Sequence, residues 1–237
     1  MTRREVIWHD VENGSYAADL ELWRELAARA DGPILDLGAG TGRVARDLHA
    51  AGHEVHALDS DPELLAALRE RAPEVSTLTA DARSFAAGER FALILAPMQL
   101  VQILGGPAAR LTMLERVHEH LLSGGRFAAA LANPYDAIDE EDRSPPYPDI
   151  IEHDGWVYSS QPVMVRAEAG QVIVERHRQA VAPDGSLDEQ TALIALDVID
   201  PGELEAEARA VGLEPVARHQ IPETADHIGS VVIECRR

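Results

Sequence analysis

The sequence contains no lysine; all 21 of its basic residues are arginine. That reads as a habit of composition rather than the mark of a site. There is one cysteine, Cys235, so no internal disulfide can form and folding calls for no oxidising compartment. No apolar run reaches the ~20 residues that span a bilayer. The first ten residues, MTRREVIWHD, lack the apolar stretch of a secretory signal, which makes the cytoplasm the expected location. Positive charge is scarce: 41 acidic residues give a formal net charge of −20. A nucleic-acid phosphate backbone is disfavoured as a partner on electrostatic grounds, and an anionic membrane surface by the same argument. Internal repeats and low-complexity tracts are absent. What is there is a chain of 237 residues, 46% hydrophobic, long enough for one large domain or a domain carrying an insertion.

The most informative stretch is 33–48, PILDLGAGTGRVARDL. Ile34, Leu35 and Leu37 form the short apolar run of a buried parallel strand. Gly38, Gly40 and Gly42 follow at alternate positions, where a missing side chain lets a ligand lie against the backbone. Val44, Ala45 and Leu48 then fall at helical spacing. Strand, glycine loop and helix N-terminus together suit an anionic or acceptor-rich ligand. A nicotinamide-binding loop reads GxGxxG, but here the third glycine place falls on Arg43. The frame is DxGxGxG, with Asp36 inside the strand.

The spacing predicts a helix over 16–30, with Leu20, Trp23, Ala27 and Ala30 on one stripe and Trp23 in the core. A second strand over 53–58 ends in Asp59, about twenty residues past the loop, where a carboxylate accepts from both ribose hydroxyls. Asp61 and Pro62 then open a helix. A third strand over 76–80 is followed by Asp81. The fourth, over 91–96, ends at Pro97, so Met98 and Gln99 sit at the ligand-facing edge. Gln99 and Gln102 meet donor or acceptor, or are surface amides, the reading that Gln102 favours. After a helix over 107–122 and a fifth strand over 126–131, the alternation of strand and helix implies a parallel sheet.

The DxGxGxG loop with acids at Asp59 and Asp81 resembles the class I S-adenosylmethionine-dependent methyltransferases. The resemblance implies a Rossmann-like α/β fold: seven strands, mostly parallel, helices on both faces, one strand reversed. It implies S-adenosyl-L-methionine as cofactor, held by Asp36, Gly38, Ala39, Gly40, Gly42, Asp59, Ser60, Asp81, Ala82 and Ala96. Asp81 would accept from the adenine amino group, and Tyr16, in the YAADLELW segment, would cover the donor. Met98, Gln99 and Tyr135 would meet a small-molecule acceptor methylated on N or O.

Beyond the fifth strand the rhythm changes. Residues 133–149 are rich in proline and acid and read as a loop; the run 139–142 is a solvated stretch rather than a metal site. Alternation over 157–166 and 172–182, separated by AEAG, signals a hairpin, with a third strand over 190–198. The expected organisation is a lid and donor-binding core over 1–132, an antiparallel insert over 133–199 that roofs the acceptor or pairs subunits, and a closing helix and strand pair over 200–237. This arrangement resembles small-molecule methyltransferases with an antiparallel insert after the fifth strand, such as sugar N,N-dimethyltransferases. Tyr135, His153 and His177 lie where a base for a hydroxyl acceptor would come from, but no residue is assigned as catalytic. The state expected is monomer or homodimer. Two other classes remain open: a donor-binding protein without transferase activity, and a nicotinamide-dependent oxidoreductase, against which Arg43 and Asp81 speak.

Overall fold

The computed structural model describes residues 4–132, 147–224 and 227–237. The chain begins with α1 (Arg4–Asn13) and α2 (Leu20–Ala27), then alternates: β1 (Ile34–Leu37), α3 (Arg43–Ala50), β2 (Val55–Asp59), α4 (Pro62–Arg71), β3 (Ser76–Thr79), β4 (Phe91–Ala96), α5 (Leu100–Ile103), α6 (Pro107–His120), β5 (Leu121–Ala132). An antiparallel unit follows: β6 (Asp149–His153), β7 (Trp156–Glu168), β8 (Gln171–Val181) and β9 (Leu187–Asp197). Then come α7 (Pro201–Ala210), β10 (Glu214–Ile221) and β11 (Ser230–Arg236).

The main sheet has seven strands in the order β10-β11-β5-β4-β1-β2-β3. β1 through β5 pair in parallel, and β11 alone is reversed, antiparallel to both its neighbours. Each face is covered. Met113, Leu114 and Val117 of α6 and Leu204 and Ala208 of α7 bury one face. Trp23 and Leu26 of α2, Val44 and Leu48 of α3, and Leu65 and Leu68 of α4 bury the other. The expected doubly covered, mostly parallel sheet is what forms.

The second sheet, β6-β7-β8-β9, has four strands, one more than alternation revealed. The missed strand, Asp149–His153, reads DIIEH and carries no apolar alternation. The inner face of this sheet packs on α1 through Ile7, Trp8, Val11, Tyr158 and Ala180. Residues 4–13 are therefore a helix with its own hydrophobic contact. The helix expected over 16–30 is shorter, Leu20–Ala27; its N-cap Asp19 makes no side-chain cap bond and accepts from Arg43 instead.

Gln102, expected at the surface, is fully buried. Its Oε1 accepts from the Ala132 backbone N–H at 2.9 Å, and its Nε2 donates to the Ala132 carbonyl (3.0 Å) and the Asp197 carbonyl (3.2 Å). One amide thus clamps the last residue of β5 to the last residue of β9, the two points where the antiparallel unit leaves and rejoins the core. Asp197 reinforces the closure by accepting from the Gly106 backbone (2.6 Å) and from Arg110 (3.1 Å).

Candidate functional site

The carboxyl ends of β1, β2 and β3 lie side by side, and the loops leaving them build the site. The Ala39 N–H donates to the Leu58 carbonyl at 2.9 Å, which pins the glycine loop onto β2. Gly40 and Gly42 have φ of 57° and 87°, a region that side chains disfavour. A Cβ at Gly38 would lie 2.9 Å from Leu100 Cδ1, and one at Gly42 would overlap Leu68. The loop is bare because its neighbours already occupy the space.

Asp59, the last residue of β2, is held by two backbone donors. Its Oδ2 accepts from Gly40 N–H at 2.8 Å and its Oδ1 from Asp61 N–H at 2.9 Å. Each carboxylate oxygen keeps a lone pair, so a vicinal diol finds a fixed bidentate acceptor beside the loop. Ser60 follows, exposed, and Asp61 turns away to cap α4 through Glu63 N–H at 2.7 Å.

Asp36 lies wholly buried in β1, and its Oδ1 has no hydrogen-bond partner among the described residues. Burial pushes its carboxyl up to about 7, with Arg43 and the Ala45 backbone acting the other way. Its ordinary value is 3.8, so between 3.8 and about 7 unfolding releases a proton. This contribution to stability is therefore greatest below the lower value and falls as pH rises towards 7. Asp36→Asn removes the titration while keeping the shape. Urea unfolding should show the variant gaining on the parent between pH 5 and pH 8, by about 3 kcal/mol. Parallel pH profiles would contradict the assignment.

Arg43, at the place of the absent third glycine, organises the other side of the loop. Its Nη1 and Nη2 donate to Asp19 Oδ1 and Oδ2 at 2.6 and 2.7 Å, and Nη1 also donates to the Tyr16 carbonyl at 3.0 Å. Asp19, 1% exposed, accepts in addition from Trp23 Nε1 at 2.8 Å. The guanidinium sits 5.1 Å from the centre of the Tyr16 ring. Tyr16 therefore occupies a fixed turn ahead of α2, its hydroxyl pKa raised by burial and by Asp19. The Tyr16 ring meets His227 edge-on at 4.8 Å.

Tyr16 lines a cavity of about 660 Å³ that also takes in Ser15, Asp149, Ile150, Thr224 and His227. Asp149, on β6, pairs with Arg176 at 2.5 Å. Met98 and Gln99 lie elsewhere, in the turn after Ala96 that ends β4; Met98 has a φ of 53°. Asp81 lies past β3 and is engaged by its own neighbour. It accepts from Arg83 Nε at 2.9 Å and Nη2 at 2.5 Å, and the Arg83 hydrogen bonds hold its carboxyl down to about 2. Ala82 beside it is buried. Tyr135 and the acidic run 139–142 lie outside the described residues. His153 and His177 pair with Asp154 (3.4 Å) and Glu189 (3.2 Å) on the antiparallel sheet, and neither lines the cavity.

The structure thus brings Asp36, Gly38, Ala39, Gly40, Gly42, Asp59 and Ser60 to one edge, with Asp81, Ala82 and Ala96 at the neighbouring strand ends. Sequence reasoning missed the contributions of Arg43, Asp19, Asp149 and His227. Of these only Arg43 carried a signal, as the residue that breaks the nicotinamide pattern.

The chain thus carries a seven-stranded sheet of this order, with a glycine loop after β1 and acids ending β2 and following β3. Residues 34–125 match the family model described as a methyltransferase domain. A curated relative from Streptomyces fradiae, a dTDP-3-amino-3,6-dideoxy-α-D-glucopyranose N,N-dimethyltransferase, is 30% identical over 109 residues. The match takes in 46% of this chain and 43% of the relative, so it spans less than half of either protein. Two solved structures share the fold. A sugar N-methyltransferase from Streptoalloteichus superposes with a TM-score of 0.76 at 17% identity, over 99% of this chain and 92% of that one. An amino pentose methyltransferase from Micromonospora echinaspora, solved with S-adenosylmethionine bound, gives 0.72 at 20% identity, over 100% and 98%.

Proposed function

We propose that this protein transfers a methyl group from S-adenosylmethionine to a nitrogen or oxygen of a small hydroxylated molecule, with amino sugars the favoured acceptors. The observation that carries the donor assignment is Asp59, locked by two backbone N–H groups against a bare glycine loop at the edge of this sheet. That cradle fits a ribose joined to a compact charged chain. Asp59 and Ser60 hold the ribose, the backbone of Gly38, Ala39, Gly40 and Gly42 lies under the remainder, and Asp36 supplies a buried carboxyl beneath it. Asp81 and Ala82 take the adenine side, and Ala96 borders the reacting end. Arg43 fixes Tyr16 across the opposite side.

A sulfonium methyl is already activated when the donor is bound. The chain's task is then alignment, which is worth about 7–11 kcal/mol in well-oriented reactions. An amine acceptor in its neutral form needs no strong base for the transfer itself. The acceptor is assigned to the cavity between Tyr16, Asp149 and His227, which offers a carboxylate, an imidazole and aromatic surface to a polar ring. The antiparallel unit over 149–197 supplies one wall through β6, so it acts as the acceptor's roof and keeps water from the reacting atoms. Met98 and Gln99, in the turn after β4 and apart from the cavity lining, are assigned to the acceptor on their place past that strand end. The curated relative's amino-sugar acceptor supports the substrate class.

The test is release of S-adenosylhomocysteine when the protein is given S-adenosylmethionine and a panel of amino sugars, free and nucleotide-linked. Donor-dependent release with at least one amine-bearing sugar is expected. Binding of the donor with no release on any of them would favour a donor-binding protein without transferase activity.

A further inference from the structure

α1 is held on two sides near its C-terminal end. Asp10 accepts from Thr41 Oγ1 of the glycine loop at 2.7 Å and from Arg71 of α4 at 3.0 and 2.5 Å. Two residues on, Glu12 accepts from Arg178 at 2.7 and 2.8 Å and from Ser160 Oγ at 2.7 Å, with Arg176 Nε at 3.3 Å. Burial raises the Asp10 and Glu12 carboxyls; His9 beside Asp10, together with these partners, outweighs it, so both are held below their ordinary range. The helix cannot slide or turn without breaking one cluster or the other.

His9 joins the Asp10 cluster through Nδ1 alone, 4.0 Å from Asp10 Oδ1. Its imidazole lies directly on the glycine loop: a Cβ built on Gly40 would overlap His9 Nε2 and Cε1. Nδ1 stands 3.4 Å from Thr41 Oγ1, whose proton is directed to Asp10, so the hydroxyl oxygen is the acceptor and Nδ1 the donor. In that tautomer of the neutral ring the lone pair sits on Nε2. Nε2 has no hydrogen-bond partner among the described residues, and the side chain is about one quarter exposed, at 26%.

Resting on the donor assignment above, we propose that His9 is a donor-binding residue, and that Nε2 accepts a hydrogen bond from the α-ammonium of the donor's amino-acid end. The direction follows from the strand order. The ribose at Asp59 and the adenine at Asp81 occupy the ends of β2 and β3. The rest of the donor runs the other way, over the loop of β1, and His9 covers that loop at Gly40.

The test compares two ligands that differ only in the part His9 meets. S-adenosylhomocysteine carries the amino-acid end; 5′-methylthioadenosine keeps the nucleoside and the thioether without it. Calorimetry should show His9→Ala binding S-adenosylhomocysteine about tenfold more weakly than the parent, the loss of one hydrogen bond to a charged group. Affinity for 5′-methylthioadenosine should stay within about twofold. His9→Gln, which keeps a carbonyl acceptor, should bind S-adenosylhomocysteine better than His9→Ala. Thermal unfolding of each variant confirms that it is folded. Equal losses for the two ligands would mean that His9 only packs on the loop, and unchanged S-adenosylhomocysteine affinity would mean that it does not meet the ligand; either overturns the proposal. Failure of the parent itself to bind S-adenosylhomocysteine would instead overturn the donor assignment, and this inference with it.

Discussion

Replacing Asp59 by alanine should weaken binding of S-adenosylhomocysteine by well over tenfold while leaving the protein folded. Two losses combine. The first is direct: a bidentate acceptor for the ribose hydroxyls disappears, and a hydrogen bond to a charged group contributes about 1.5–3 kcal/mol. The second is local. The same carboxylate orders the glycine loop through Gly40 N–H and the start of α4 through Asp61 N–H. Without it the loop must be reordered when ligand binds, which lowers affinity further. Asp59→Asn separates the two terms, because its amide oxygen still accepts from one backbone donor. Asp81→Ala should cost less. Asp81 is partly exposed and already paired with Arg83, so the adenine amino group gains only what competition with that guanidinium leaves. Calorimetric titration of the three variants measures both quantities. Parent-like affinity in Asp59→Ala would move the ribose elsewhere.

Arg43→Ala should be the most destabilising single change at the site, by about 3–5 kcal/mol. Asp19 would keep its charge at 1% exposure with only the Trp23 N–H beside it. Breaking one side of a buried pair leaves the desolvated partner unpaired, which costs more than the pair contributes. Arg43→Lys should fall between, since an ammonium offers a point charge where the two Asp19 oxygens fit a planar fork. The double variant Asp19→Asn with Arg43→Met should recover much of the loss, because no buried charge remains. Urea unfolding gives the order: parent, double variant, Arg43→Ala. If Arg43→Ala unfolds at the parental urea concentration, the pair is not a structural tie. The same contact fixes Tyr16 against the cavity, so a loss of stability here should be accompanied by weaker acceptor handling.

The parts of the fold that were legible in the sequence are those with strict local requirements. Ile34–Leu37 could be read as a buried strand because all its residues are apolar or packed, and the loop after it because three glycines alternate. Asp61 before Pro62 marked a helix start that the structure forms as a capped N-terminus. Alternation gave β7 and β8, whose inner face meets α1. What the sequence hid were interactions whose partners are far apart along the chain. Gln102 reads as an ordinary polar residue in a short helix; only the meeting of Ala132 with Asp197, 65 positions apart by number, makes it a buried clamp. Arg43 was informative as a departure from a nicotinamide loop, but nothing in the sequence singled out its partner Asp19, 24 residues earlier. β6 lacks alternation because its polar ends, Asp149 and His153, turn to specific partners. His9 and Asp10 gave no signal, since their role depends on where α1 docks.

The central claim is that the loop of β1 with Asp59 is a site for S-adenosylmethionine and its product rather than for a nicotinamide cofactor. Titration of one preparation with S-adenosylhomocysteine and then with NAD tests it most directly. The account predicts saturable binding of S-adenosylhomocysteine that Asp59→Ala weakens, and no binding of NAD. Saturable binding of NAD with no response to S-adenosylhomocysteine would contradict it.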